Sequence, residues 1–370
     1  MNEPAASGPV SVRPVWTRIL ATILFFAAFE GVLFHSGLYS LIVEPDSTTG
    51  FMELQLRNEI RRTKANRNQV LAVGDSRMPL LPRIVNEAGA DYTFATMALG
   101  GTSPRTWYYG LRAVDPKANN YAAIVIPSAD YNEPDNFDYV SEREADLHYL
   151  IGRLGLRDLG EFPWTYRGKK AQWMIVRGMI LKGTIYKRDF IEFLDHPIDR
   201  IVKAQYYNHD SAGWYYVYGG SDKNLAGLQI DWKHQTVQAP DRITTSERNQ
   251  IQGMLFPAER PGEGRETAYL RYWYGRIVDY YRGSGTKLIF IRVPRAPLSP
   301  PDEPPKMDSA VRQIASQPNV VVLNEGLFNA LERPELFWDA WHMNRAGMEQ
   351  FSRALATAVD NVLGRPSPKS

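Results

Sequence analysis

The stretch VLAVGDS, residues 70–76, decides how this chain is read. Four apolar residues run unbroken into Gly74, Asp75 and Ser76, the pattern of a strand buried on both faces that ends in a sharp turn. The pattern recurs in YTFATMAL (92–99), YAAIVIPS (121–128), KLIFIRVP (287–294) and NVVVLN (319–324). Segments of helical length separate these runs at 83–89, 103–113, 305–316 and 344–363. Strand alternating with helix predicts an α/β fold, a doubly wound parallel sheet flanked by helices. In such sheets ligands bind beyond the carboxyl ends of the strands. Ser76 stands at one of those ends.

Between the third and fourth strands the alternation lapses, which predicts a large insertion over about 133–250. Its first half carries helical apolar spacing in LHYLIGRLGLRDL and AQWMIVRGMILKGTIY. Its second half, YYNHDSAGWYYVYGG (206–220), is rich in aromatics and glycine. Those aromatics read either as ordinary core or as a platform on which sugar rings stack, with Trp214 the residue chosen for contact. The proline-rich loop 294–305 and the tail 364–370 close the pattern, and the folded domain is expected over 70–363.

At the other end, residues 19–43 read ILATILFFAAFEGVLFHSGLYSLIV, with Arg13 and Arg18 before them and Glu44 and Asp46 after. About 20 mostly apolar residues cross a bilayer, and arginines on the N-terminal flank favour keeping residues 1–18 in the cytoplasm. The expectation is a single-pass anchor in the inner membrane with the domain on the periplasmic or extracytoplasmic side. A signal peptide would need a small-x-small cleavage site after the run, and a buried helix of a soluble domain is the other alternative. Glu30 and His35 interrupt the apolar run and read as interface residues. Residues 44–69 read as a connector helix, solvated because so many of them are charged.

The 370 residues are 44% hydrophobic and 23% charged, which excludes disorder and collagen. With 43 Lys and Arg against 41 Asp and Glu there is no basic track for phosphates, so nucleic acid is not an expected partner. No cysteine is present, so thiolate zinc sites, iron–sulfur clusters and a cysteine nucleophile are excluded. His196, His209 and His234 neighbour aspartates but lack a metal-ligand spacing such as HExxH, and no metal is expected.

A serine hydroxyl is a weak nucleophile until an imidazole takes its proton and a carboxylate orients that ring. The segment FWDAWHMN, 337–344, supplies both groups in Asp339 and His342, three residues apart just before the last helix. Asp-x-x-His and Gly-Asp-Ser are each common turn sequences, and it is their order at the two ends of one α/β pattern that points to chemistry.

That combination resembles the SGNH, or GDSL-type, hydrolases over about 70–130 and 285–363. The resemblance implies Ser76 as nucleophile, His342 as general base and then acid, Asp339 as orienting carboxylate, and no cofactor. It also implies an oxyanion hole built from the backbone N–H of Ser76 and one from the glycine block, Gly100 or Gly101. The family's third donor, an asparagine after the third strand, is replaced here by Ala129, leaving Ser128 or Asn132 as substitutes. Asp75, Arg77, Trp341 and Arg295 are further candidates for substrate contact; for Arg292 and Arg295 a surface salt bridge is the alternative. A single anchor, an outward domain and a large insertion resemble the subgroup of alginate O-acetyltransferase and teichoic-acid D-alanylation accessory proteins. Members of that subgroup act on envelope polysaccharide or related polymers beside a multi-pass membrane O-acyltransferase. The expected activity is therefore that of an O-acyl esterase or transferase, with acetyl the expected group and a non-catalytic scaffold of the same fold as the alternative.

Overall fold

The computed structural model describes residues 13–62, 68–128, 141–209, 224–256, 265–295, 307 and 309–364. Its strands are β1 (Gln69–Gly74), β2 (Thr93–Ala98), β3 (Ala123–Ser128), β4 (Gln229–Asp231), β5 (Thr236–Gln238), β6 (Lys287–Arg292) and β7 (Val320–Val322). The first helices are α1 (Arg13–Glu30), α2 (Thr48–Arg62), α3 (Pro82–Glu87), α4 (Pro104–Val114), α5 (Ala145–Leu150) and α6 (Lys169–Ile180). They are followed by α7 (Lys182–Asp195), α8 (Pro197–His209), α9 (Thr245–Leu255), α10 (Arg265–Tyr280), α11 (Ser309–Ile314) and α12 (Arg345–Leu363).

Five strands form one parallel sheet in the order β2-β1-β3-β6-β7, while β4 and β5 make a separate antiparallel hairpin. Every residue of β1 and β3 is buried, as their unbroken apolar runs require. Leu71, Val73, Ile124 and Phe290 pack on one face with Trp107 of α4, Trp273 of α10 and Val311 of α11. Val70, Ala72, Val125 and Ile291 pack on the other with Val85 of α3 and Phe351 and Leu355 of α12. Strand order reverses between β1 and β3, and the crevice at such a switch point is where open α/β sheets place ligands.

The insertion lies between β3 and α10. That helix, which sequence periodicity did not single out, is the crossover element covering the sheet before β6. The insertion is fastened to α4 by a buried polar cluster. Arg105 and Asp146 are both fully buried, with Nη1 to Oδ2 at 3.3 Å, and Asp146 also accepts from Ser103 Oγ at 2.9 Å and Thr106 Oγ1 at 3.0 Å. The Arg105 guanidinium lies over the Tyr166 ring, 3.8 Å from its centroid. Breaking such a pair leaves an uncompensated charge in the core, at about 3–5 kcal/mol.

Two expectations for the N-terminal third need correction. The stretch 44–69 is not a solvated connector, because α2 is part of the core: Met52 and Leu56 are fully buried. Its charges are buried with partners, Glu53 with Arg57 and Arg153, and Glu59 with Arg62 and the Tyr121 hydroxyl. Charge content misled because paired charges can be buried, whereas unpaired ones cannot.

The apolar run Val15–Leu41 is long and apolar enough to cross a membrane, but it is not one free helix over 19–43. Residues 15–29 are all exposed, and α1 ends at Glu30. A π-helical turn, Gly31–His35, then carries the chain onto the insertion, where Phe34 and Tyr39 pack against Tyr186 and Phe190. Glu30 Oε1 accepts from the N–H of Gly183 at 2.9 Å, placing a carboxylate at the start of α7. His35 Nε2 lies 3.0 Å from the carbonyl of Ile180. Both polar interruptions in the run thus serve to dock it.

Candidate active site

The site starts from Gly74, where β1 ends against its neighbours. A Cβ there would sit 2.7 Å from Met78 Cβ and 3.1 Å from the Pro127 ring, so only glycine lets the chain turn this tightly. The turn is then locked locally. Asp75 Oδ1 accepts from the Arg77 N–H at 2.8 Å, and the Arg77 guanidinium closes on the same carboxylate, Nη2 to Oδ2 at 2.9 Å. Burial pushes the Asp75 carboxyl up, but the charge and hydrogen bonds of Arg77 outweigh it and hold the group below its usual range. Asp75 and Arg77 therefore engage each other and brace the turn that presents Ser76.

On the far side of the crevice, residues 337–343 form a narrow loop closed by a bridge between Phe337 and Met343 and by the Trp338 N–H on the His342 carbonyl at 2.8 Å. Asn344 ends the loop by capping α12, its side chain accepting from Gly347 N–H at 3.0 Å. Within the loop, Asp339 Oδ1 accepts the N–H groups of Trp341 and His342, each at 2.8 Å. Both carboxylate oxygens also face His342 Nδ1, at 2.9 and 2.8 Å. Burial raises the Asp339 carboxyl, but His342 and the two backbone donors more than offset it, so the group is held below its usual range.

An ionised Asp339 accepts from Nδ1, which fixes the imidazole tautomer with Nε2 as the acceptor. That nitrogen lies 2.9 Å from Ser76 Oγ. Two residues 266 positions apart are in hydrogen-bonding contact, and both are partly exposed. The arrangement can move a proton from the serine to the ring and return it later.

The glycine block lies next to this pair. The Gly74 carbonyl accepts from Leu99 N–H at 3.0 Å and from Thr102 Oγ1 at 2.8 Å, tying the β2–α4 loop to the end of β1. Thr102 N–H returns to the Leu99 carbonyl, with Gly101 at φ +74°, the left-handed position such a turn reserves for glycine. Tyr149 of the insertion donates to the Gly100 carbonyl, holding the loop from outside. Ser128 is the buried last residue of β3. Asn132, Ala129 and Trp214 lie outside the described residues.

Trp341 is partly buried, packed on the core beside the loop. Arg295 is 5% exposed and its backbone N–H donates to Glu332, so the structure encloses it instead of presenting it to a substrate. Arg292, read as a surface ion pair or ligand, is also buried and pairs with Glu332, with Nη2 on Asn329 Oδ1 at 2.7 Å. Residues at the end of a central strand are covered by the following loops, which the local sequence does not announce.

Sequence reasoning also missed Gln55. It comes from α2 and lines a small open cavity beside Ser76 with Asp75, Met78, Thr96 and Ala98. Its Oε1 is buried and has no hydrogen-bond partner among the described residues. Nothing in the sequence marks a glutamine in a charged helix for this place. Compared with known proteins, the chain matches no protein-family model and no curated protein sequence.

Proposed function

We propose that this chain is a serine enzyme of SGNH type that removes or transfers an O-acyl group, with acetyl the expected group, on an envelope or exported polysaccharide. One observation carries the reading: Ser76 Oγ lies 2.9 Å from His342 Nε2 while Asp339 holds the Nδ1 side of the ring. The strand order β2-β1-β3-β6-β7, with Ser76 two residues past the end of β1 at the switch point, supports the reading. In the proposed cycle Ser76 Oγ attacks the acyl carbonyl as His342 takes its proton, giving a tetrahedral oxyanion that faces the Ser76 and Gly100–Gly101 N–H groups. Collapse expels the alcohol, protonated by His342, and leaves an acyl-serine. Water attacking that ester releases a carboxylic acid; a sugar hydroxyl attacking it yields a new ester. The partner expected in the second case is a multi-pass membrane O-acyltransferase that delivers the acyl group.

A second reading, a non-catalytic scaffold for such a membrane complex, is favoured by Ala129 at the position of the family's third oxyanion donor. A fluorophosphonate probe separates the two. An adduct on Ser76 that disappears in Ser76→Ala supports the enzyme, and folded protein that never forms one sinks it. Acetyl release and acetyl transfer measured side by side on an acetylated polysaccharide then distinguish esterase from transferase.

A further inference from the structure

We propose that the outward face of α7 and α8 lies in the lipid headgroup region beside α1, so that the protein contacts the bilayer through a surface as well as through its anchor. This rests on α1 spanning a membrane and is independent of the chemistry at Ser76.

The first observation is a stripe. Ile191, Leu194, Ile198, Ile201, Val202 and Tyr206 recur at three- and four-residue intervals through α7 and α8, and all are exposed, Ile198 by 75% and Val202 by 60%. Within each helix such spacing lines one side, with Ile191 and Leu194 on α7 and Ile198, Ile201, Val202 and Tyr206 on α8. The opposite side is committed. Arg200 is 4% exposed and pairs with Glu44 and Asp189, Lys203 pairs with Glu44 and Asp46, and the Tyr207 hydroxyl donates to Asp46 at 2.7 Å. The inward face of α8 therefore grips the residues directly after the apolar run, and its apolar face is turned away from the protein.

The second observation is a length. Among the residues whose exposure is described, the stretch of α1 that stands clear of the domain is Val15–Phe29, fifteen residues and about 22 Å of helix, against a hydrocarbon core of about 30 Å. Beyond Phe29 the chain is docked on the insertion through Glu30, Phe34 and His35. For the apolar run to fill the bilayer, this docked portion has to descend to the membrane surface and carry α7 and α8 with it. An amphipathic helix in that position sinks its apolar face to about 5–10 Å in the headgroup boundary. Lys187 and Arg188, exposed one turn before Ile191, suit the lipid phosphates, and α6 reaches the anchor with a comparable exposed row of Trp173, Arg177 and Ile180.

The chain contains no cysteine, so single labels can be placed at will. Full-length protein carrying Val202→Cys, Tyr206→Cys, Phe25→Cys or Arg282→Cys would be labelled with an environment-sensitive fluorophore. Each would be reconstituted into phosphatidylcholine vesicles containing acyl-brominated lipid. Expected is several-fold stronger quenching at positions 202 and 206 than at 282, with the deepest at 25. Quenching at 25 but none at 202 and 206 overturns the proposal and leaves the anchor standing; no quenching at 25 removes both. Labels at 202 and 206 that are shielded yet unquenched by bromine point to a protein occupant and also overturn it. As a second check, Ile198→Glu on the exposed stripe should abolish quenching at 206 with unchanged melting temperature.

Discussion

Two places in this molecule bring distant charged groups together, and they are built in opposite ways. At the rim of the sheet, Asp339, His342 and Ser76 form a directed chain that ends on a partly exposed hydroxyl. At the junction of α1 and the insertion, Glu30, Lys182 and Gly183 meet where Lys182 is 3% exposed and Glu30 6%. Burial pushes the Lys182 ammonium down to about 8, although Glu53, Asp158 and Glu30 favour its charge. The rim leaves the Ser76 hydroxyl partly exposed, whereas at the junction the Glu30 carboxylate is taken up by the Gly183 N–H and ties two segments together. Perturbed titration by itself thus does not mark a site, because structural charge networks shift pKa values as well.

Four experiments break or sharpen this contrast. Ser76→Ala should have the largest effect, a rate loss on the order of 10⁴-fold or more in acyl release with the melting temperature unchanged; a variant as active as the parent removes Ser76 from the chemistry. Asp339→Asn should slow fluorophosphonate labelling of Ser76 by about 10⁴-fold, by presenting the wrong tautomer at Nε2. A loss of tenfold or less, on the order of 1 kcal/mol, would mean that Asp339 does not orient the ring.

The junction should answer in stability alone. Below about pH 8 the folded protein carries a buried Lys182 ammonium; between about 8 and the unfolded value of 10.5 the unfolded chain holds a proton that the folded one has shed. Lys182 therefore contributes a stability that rises with pH across that window. Lys182→Met should remove the rise and stabilise the protein at pH 7 by up to about 3 kcal/mol, checked by melting curves of both proteins from pH 7 to 10. The smallest effect is expected of Gly183→Ala, whose Cβ would come within 2.8 Å of Glu30 Oε2 and 2.9 Å of the Phe34 ring. It should cost about 1–3 kcal/mol while probe labelling of Ser76 in the folded fraction is unchanged; a fall in labelling would show the two regions to be coupled.

The central sheet was legible because strands buried on both faces have to be continuously apolar, and all five expected runs are strands. The approach of Ser76 to His342 followed from their order and from the ends of the elements that bear them. What escaped reading depends on partners far away in the chain. Glu53 and Glu59 look like surface residues until Arg153 and Tyr121 cover them. Arg292 and Arg295 look available until Glu332 is placed beside them. The end of α1 at Glu30 follows from an N–H 153 residues downstream, and Gln55 enters the crevice only because α2 belongs to the core.

The docking of Phe34 and Tyr39 has a mechanical consequence. Phe34 and Tyr39 pack on Tyr186 and Phe190 directly after α1, so among the described residues α1 passes into the insertion through a packed turn and not through a free linker.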